Sequence, residues 1–261
     1  MFTEIHGERV FVAGGISNPE DLTLLFLHGA AMDHTVWTYY IRYFRYRGVN
    51  AIALDFPGHG RSEGDTLKSI DQMAEWVAAT CDELKLSRIA LVGHSMGGLV
   101  ALESGARLTS RVERIALLGV AFPMAVSDVL LDAAKANLSS AVDMMTVWGH
   151  GTKAQLGGNP VAGINVIGSA RRLIERASPG VMFDDLNACN EYTGGFDAAA
   201  KTGATTTFIC GSDDKMTPAR AAVKLADKCA DGRVEVISDC GHILMSEQPE
   251  LTHRALVKAL L

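Results

Sequence analysis

One serine stands in a pattern that could make it a nucleophile. The motif Gly93-x-Ser95-x-Gly97 follows an apolar run that ends at Val92 and precedes a segment typical of a helix. A tight, strained turn between a strand and a helix lifts a serine hydroxyl above the sheet, and the flanking glycines let the two elements pass closely. The start of the helix adds free N–H groups and a positive dipole end. We therefore predict that Ser95 is a nucleophile.

A serine hydroxyl is a weak nucleophile, so the chain must also supply a base, and an acid that fixes the tautomer of that base. Asp213 and Asp214 stand together just after a predicted strand, and each is a candidate acid. Of the histidines that follow them, His242 lies in a loop beyond a later predicted strand, where open α/β sheets carry their sites. His253 lies instead in the predicted terminal helix. We therefore expect His242 to be the base.

Alternating strand and helix patterns predict the scaffold that positions these residues. Near-continuous apolar runs are expected for strands that are buried on both faces of a parallel sheet. The predicted strands span residues 9–13, 22–27, 51–54, 88–92, 114–119, 205–210 and 233–237. Because helical patterns separate them, the sequence indicates an α/β fold with a doubly wound, mostly parallel sheet.

The alternation stops midway along the chain and resumes later. We expect a helical insertion at residues 124–201, with the core made of residues 1–123 and 202–261. The predicted helices of the insertion span residues 127–138, 139–148, 166–177 and 180–192. Met124 and Trp148 are candidates for lining an apolar substrate pocket. The alternative is that they only form the interior of the insertion.

Composition and charge exclude several classes of function. The 261 residues carry a net charge of −6, so nothing favours binding to nucleic acid or to an anionic membrane. The N-terminal residues show no signal-peptide pattern, and the five scattered cysteines are typical of reduced thiols, so we expect a cytoplasmic protein. No spacing typical of a zinc site or of a nucleotide-binding loop occurs, so we expect no metal and no cofactor.

Several motifs together resemble the α/β-hydrolase superfamily, within its branch of small, capped, cofactor-free serine hydrolases and carboxylesterases. The matching segments are His28-Gly29-Ala30, residues 55–62, residues 93–98, residues 211–218 and Gly241-His242. The resemblance implies an eight-stranded, mostly parallel sheet, with residues 124–201 as a helical cap over the catalytic face. It also implies the chain order serine, acid, histidine.

The resemblance assigns the remaining catalytic positions. Matching Gly211 and Pro218 to the family's turn places the acid at Asp214. The oxyanion hole would be formed by the N–H groups of Ala30 and Met96. The oxyanion loop departs from the His-Gly-Gly-Gly of one lipase and esterase group. Because the nucleophile is a serine, the aspartate chemistry of the similar haloalkane dehalogenases and epoxide hydrolases is disfavoured.

The leading hypothesis is a carboxylesterase that acts on small soluble esters with short to medium acyl chains through an acyl-enzyme. A second hypothesis from the same branch is a C–C bond hydrolase of meta-cleavage products. Its acidic substrate would need a cation, which Arg171 or Arg172 could supply. A third hypothesis, from another class, is a ligand-binding receptor on the hydrolase fold, and turnover would separate it from the enzymes. The sequence does not indicate an oligomeric state.

Overall fold

One eight-stranded sheet forms the centre of the protein in a computed structural model that describes all 261 residues. The strands are β1 Phe2–Ile5, β2 Glu8–Gly15, β3 Thr23–Leu27, β4 Asn50–Leu54, β5 Ile89–His94, β6 Val112–Leu118, β7 Thr205–Gly211 and β8 Gly232–Ile237. Their spatial order is β1-β2-β4-β3-β5-β6-β7-β8. The β1–β2 and β2–β4 pairs are antiparallel and all others are parallel, which confirms the predicted mostly parallel sheet.

Twelve α-helices connect and cover the strands. They are α1 Thr38–Tyr46, α2 Ile70–Glu83, α3 Met96–Arg107, α4 Asp128–Lys135, α5 Ser139–Trp148, α6 Thr152–Gln155, α7 Val166–Ile174, α8 Val181–Glu191, α9 Gly195–Lys201, α10 Ala219–Ala226, α11 Leu244–Glu247 and α12 Pro249–Leu260. None of them combines the length and the hydropathy that crossing a bilayer requires.

Alternate residues of the central strands separate two apolar layers. Leu25 and Leu27 of β3 face the layer that includes α2 and α3, whereas Leu24 and Phe26 face the layer that includes α1 and α12. This two-sided burial explains why the inner strands are continuous apolar runs. The catalytic candidates are therefore carried at the ends of strands held rigidly by packing on both faces.

Some local predictions needed correction. The antiparallel edge strand β1 was not predicted, because its residues alternate only weakly between apolar and polar. The helix expected at residues 34–47 begins as a 3-10 turn at His34–Trp37 and becomes α1 at Thr38. Between β6 and β7 the chain forms six helices and no strand, and two of them, α6 and α9, were not predicted.

Candidate active site

Ser95 occupies the sharp turn between β5 and α3. Its backbone has φ 53° and ψ −117°, in the left-handed half of conformational space that a residue with a Cβ rarely adopts. A Cβ on Gly93 would overlap the carbonyl oxygen of Gly97, and one on Gly97 would overlap that of His28. The two glycines therefore permit the close crossing that keeps Ser95 in this strained conformation.

His242 and Asp214 form a buried pair. His242 Nδ1 donates to Asp214 Oδ2 at 2.8 Å, and the two residues are 2% and 5% exposed. The same carboxylate accepts the backbone N–H groups of Met216 and Thr217 and the Thr217 hydroxyl. Burial alone would raise the pKa of Asp214, but His242 and these hydrogen bonds outweigh it and lower the pKa, so the carboxylate stays charged.

The neighbouring carboxylate, Asp213, has a different environment. Its Oδ1 accepts the hydroxyl of Ser212 at 3.0 Å and it makes no ion pair. The other candidate base, His253, lies half-buried against Tyr43, with ring centroids 3.9 Å apart. Of the two candidate acids, the structure therefore brings Asp214 to the expected base, His242.

A buried glutamate anchors the loop that carries His242. Glu247 Oε1 accepts the N–H of Ile243 at 3.2 Å, and its Oε2 accepts the N–H groups of Gly241 at 3.1 Å and Gly151 at 2.8 Å. Because Gly151 belongs to the helical insertion, one carboxylate links the insertion to both neighbours of His242. Sequence reasoning missed Glu247, since nothing local to it indicates these partners.

Ala30 and Met96 supply the backbone groups proposed for the oxyanion hole. Met96 is the first residue of α3, so its N–H lacks an intrahelical acceptor. The N–H of Ala30, in the loop after β3, makes no backbone hydrogen bond within the protein. Met96 is 0% exposed and Ala30 is 4% exposed. A hydrogen-bond donor has most effect on a developing charge in such a buried position.

A cavity of about 410 Å³ lies between the core and the helical insertion. Both Ser95 and His242 line it, and so does Ala30. Met124, which is buried, and Trp148, which is 38% exposed, line it as well. The rest of the lining comprises Ala125, Val126, Ser127, Leu130, Met145, Leu186, Cys189, Lys215, Met216 and Thr217. The cavity is therefore largely apolar, with the nucleophile and base candidates in its wall.

The two arginines considered for an acidic substrate lie elsewhere. Arg171 is ion-paired with Asp143 and Glu175, and Arg172 is exposed and paired with Glu175. Neither lines the cavity, so neither supplies there the cation that the C–C hydrolase hypothesis needs. Lys215, which was not among the residues expected from the sequence, is the one lysine or arginine in the lining.

The chain is similar to known proteins over most of its length. Residues 24–255 match the family model described as Alpha/beta hydrolase family. A pimeloyl-(acyl-carrier protein) methyl ester esterase from Nitrosomonas europaea is 28% identical over 238 residues, which cover 87% of this chain and 91% of that protein.

Two solved structures share the fold. The enol-lactonase from Burkholderia xenovorans LB400 has a TM-score of 0.85 at 20% identity, covering 100% of this chain and 99% of that one. An esterase from Exiguobacterium antarcticum has a TM-score of 0.86 at 22% identity, covering 99% and 98%. At these identities the likeness concerns the fold.

Proposed function

The chain belongs to the alpha/beta hydrolase family, and from this premise we propose that it is a serine carboxylesterase that cleaves small soluble esters through an acyl-enzyme. The observation that carries the proposal is the shared cavity. Ser95 and His242 line it together, and the Nδ1–H of His242 donates a hydrogen bond to Oδ2 of the buried Asp214 at 2.8 Å. A serine, a histidine and a fixed carboxylate in this relationship are suited to acyl transfer.

Each residue has one task in the proposed reaction. His242 takes the Ser95 proton as Oγ attacks the ester carbonyl carbon, and the resulting oxyanion accepts the N–H groups of Ala30 and Met96. His242 then protonates the leaving alcohol. Water, activated by the same histidine, next attacks the acyl-enzyme, releasing the acid and restoring the serine. Asp214 accepts Nδ1–H throughout and stabilises the imidazolium in each step.

The cavity supports short to medium acyl chains. Its volume of about 410 Å³ is in the range of sites for small ligands, and its lining is mainly aliphatic and thioether side chains. The helical insertion supplies Met124 and Trp148 to that lining, so we propose that residues 124–201 act as the cap over the site. Enclosure of this kind suits a soluble ester better than an aggregated lipid.

The names of the related proteins agree with ester chemistry. One similar protein is an esterase of a pimeloyl methyl ester, and one structural neighbour is an enol-lactonase. Esters and lactones share the acyl carbon–oxygen bond that the proposed reaction breaks. These names support the bond type.

A C–C bond hydrolase is the second candidate, and one observation favours it. Lys215 lines the cavity, is exposed and forms no ion pair, so we propose that its ammonium pairs with the anion of an acidic substrate. A meta-cleavage dienoate carries such an anion. Lys215→Met would then lower kcat/KM for the dienoate while leaving that for p-nitrophenyl butyrate within about twofold.

The proposal is tested by comparing kcat/KM for p-nitrophenyl butyrate and for a meta-cleavage dienoate on one preparation. We expect the ester to be the better substrate. A dienoate rate well above the ester rate, lost in Lys215→Met and kept in Arg172→Ala, would instead assign the C–C hydrolase activity. Negligible turnover of both compounds, together with tight ligand binding, would indicate a receptor.

A further inference from the structure

A carboxylate of the helical insertion is buried against the loop that contains Ala30. Asp185 lies on α8, and its side chain is 0% exposed. Its Oδ2 accepts the backbone N–H of Ala31 at 2.8 Å and the Nε2–H of His59 at 2.9 Å. A charge is buried at large cost unless it is paired and hydrogen-bonded. Both hydrogen bonds end on Oδ2, whereas Oδ1 is buried without a partner, so the burial of Asp185 depends on these two contacts with the core loops.

His59 is the counter-charge of this carboxylate. Its Nδ1 lies 3.0 Å from the carbonyl oxygen of Pro57 and its Nε2 lies 2.9 Å from Asp185 Oδ2. Both partners can only accept, so both ring nitrogens donate and the ring is an imidazolium. Burial alone would lower the pKa of His59, but the adjacent carboxylate and these hydrogen bonds outweigh it and raise the pKa. The hydrogen bond between Asp185 and His59 is therefore charge-assisted and strong.

The other partner, Ala31, directly follows the proposed oxyanion donor. Its φ of 56° lies in the left-handed region, which costs an alanine about 1 kcal/mol or more. The hydrogen bond from its N–H to Asp185 helps to hold this conformation. Because the peptide after Ala30 is tethered in this way, the loop cannot rotate freely at Ala30.

A neighbouring carboxylate shows that the insertion has a separate attachment to the core. Asp184, also on α8, accepts hydrogen bonds from the Thr66 hydroxyl and the Lys68 ammonium. These partners lie outside the lining of the cavity that contains Ser95. The two adjacent aspartates therefore connect the same helix to two different parts of the core.

We infer that Asp185 is a positioning residue, through which the helical insertion holds the Ala30 N–H in the geometry that stabilises the oxyanion. The insertion then helps to assemble the catalytic centre as well as enclosing the substrate. This inference rests on the proposed function, because it requires acyl transfer at Ser95. It predicts that the loss of Asp185 affects the transition state more than the binding of the ester.

The test compares Asp185→Ala, Asp185→Asn and the matched control Asp184→Ala. Asp185→Ala removes both hydrogen bonds, and we expect kcat for p-nitrophenyl butyrate to fall about 10²-fold with KM changed less than about threefold. Binding of an alkyl trifluoromethyl ketone, whose serine adduct carries an oxyanion, should weaken by a similar factor. Asp185→Asn keeps an acceptor without the charge and should recover part of kcat. Asp184→Ala should lower Tm but keep kcat.

Each outcome bears on the inference. Equal kcat losses in Asp184→Ala and Asp185→Ala, or a wild-type kcat in Asp185→Ala, would overturn it. If Asp185→Ala does not fold, the affinity of Asp185→Asn for the ketone decides: weakened binding supports the inference and unchanged binding overturns it. A wild-type protein that neither hydrolyses the ester nor forms the ketone adduct would overturn the proposed function itself, which is a distinguishable result.

Discussion

The ring of His94 donates its Nε2–H to the backbone carbonyl oxygen of His242 at 2.9 Å. His94 directly precedes Ser95, so this hydrogen bond joins the turn that carries the proposed nucleophile to the loop that carries the proposed base. Because a carbonyl oxygen can only accept, the Nε2 of His94 must carry the proton. His94, which occupies the position between Gly93 and Ser95 in the motif, thereby helps to fix the separation of Ser95 and His242.

The first prediction concerns acid stability. Burial is the main reason that the pKa of His94 is lowered to about 3, and the charge of His242 lowers it further. Burial is likewise the main reason that the pKa of His28 is lowered to about 4, with a smaller effect from the charge of His59. Below pH 6.5, which is about the ordinary pKa of a histidine, both side chains take up protons when the protein unfolds. Stability that is present above that pH should therefore be lost as the pH falls towards 4. Between pH 6.5 and pH 4, His94 alone would account for a loss on the order of 3 kcal/mol.

The measurement is the free energy of unfolding of the wild type and of His94→Gln between pH 7.5 and pH 4. The variant should be less stable at neutral pH, because a buried hydrogen bond is altered. Its stability should nevertheless decline less steeply with acid. Parallel curves for the two proteins would show that His94 is not among the groups that drive acid unfolding.

The second prediction separates the two adjacent aspartates. Asp214→Asn gives His242 the wrong partner for its Nδ1–H, and we expect kcat to fall by about 10⁴. Asp213→Asn should cost less than about threefold, because the one hydrogen bond of the Asp213 carboxylate is to the Ser212 hydroxyl. Steady-state kinetics with p-nitrophenyl butyrate measures both. A larger loss in Asp213→Asn would mean that the acid has been assigned one residue too late.

The third prediction concerns Glu247. Glu247→Ala leaves the buried N–H groups of Gly151 and Gly241 without an acceptor, and each such loss costs about 1–3 kcal/mol. The N–H of Ile243 loses one of its two acceptors and keeps the carbonyl oxygen of Gly149 at 3.1 Å. We therefore expect the free energy of unfolding in urea to fall by about 2 kcal/mol or more, and kcat to fall with it as His242 loses its anchor. The control Glu250→Ala removes an exposed ion pair with Arg254 and should change stability by less than about 1 kcal/mol. Similar losses in both variants would contradict the anchoring role.

The fourth prediction concerns the wall of the cavity. Trp148 lines the cavity and is partly exposed, so Trp148→Ala should enlarge the space for the acyl chain with little loss of packing. We expect the preferred length among p-nitrophenyl esters to shift towards longer chains, with a small change in Tm. Leu156→Ala is the matched control, since Leu156 is exposed on the same insertion and lies outside the cavity. A large fall in Tm with an unchanged chain-length preference would show that Trp148 only supports the insertion.

Local chemistry explains what the sequence could reveal about fold and site. The tight turn at Ser95 has room only for glycine at positions 93 and 97, and this spacing is visible in the sequence. Strands that are buried on both faces are visible as continuous apolar runs. The same local rules indicated a loop at the sheet edge for His242. Adjacent side chains of one turn point in different directions, and local sequence rules do not say which of the two faces His242. The choice between Asp213 and Asp214 therefore required the family resemblance.

The features that sequence reasoning missed depend on distant partners. Asp185 is 154 positions from Ala31, and Glu247 is 96 positions from Gly151, so no periodicity or motif encodes either contact. Lys215 was overlooked although it is adjacent to Asp214 in the chain, because a lysine in a loop is usually exposed to solvent. Arg171 and Arg172 were considered on charge alone, and their ion pairs within the insertion hold them away from the cavity.

The most direct test of the account is covalent labelling of Ser95. Wild-type protein is treated with a fluorophosphonate, the modified peptide is identified by mass spectrometry, and ester turnover is measured for the wild type and for Ser95→Ala. We expect one label, on Ser95, and a loss of several powers of ten in kcat for Ser95→Ala, as is typical when a triad member is removed. Labelling at another residue, or a Ser95→Ala protein with near wild-type kcat, would contradict the assignment of the nucleophile.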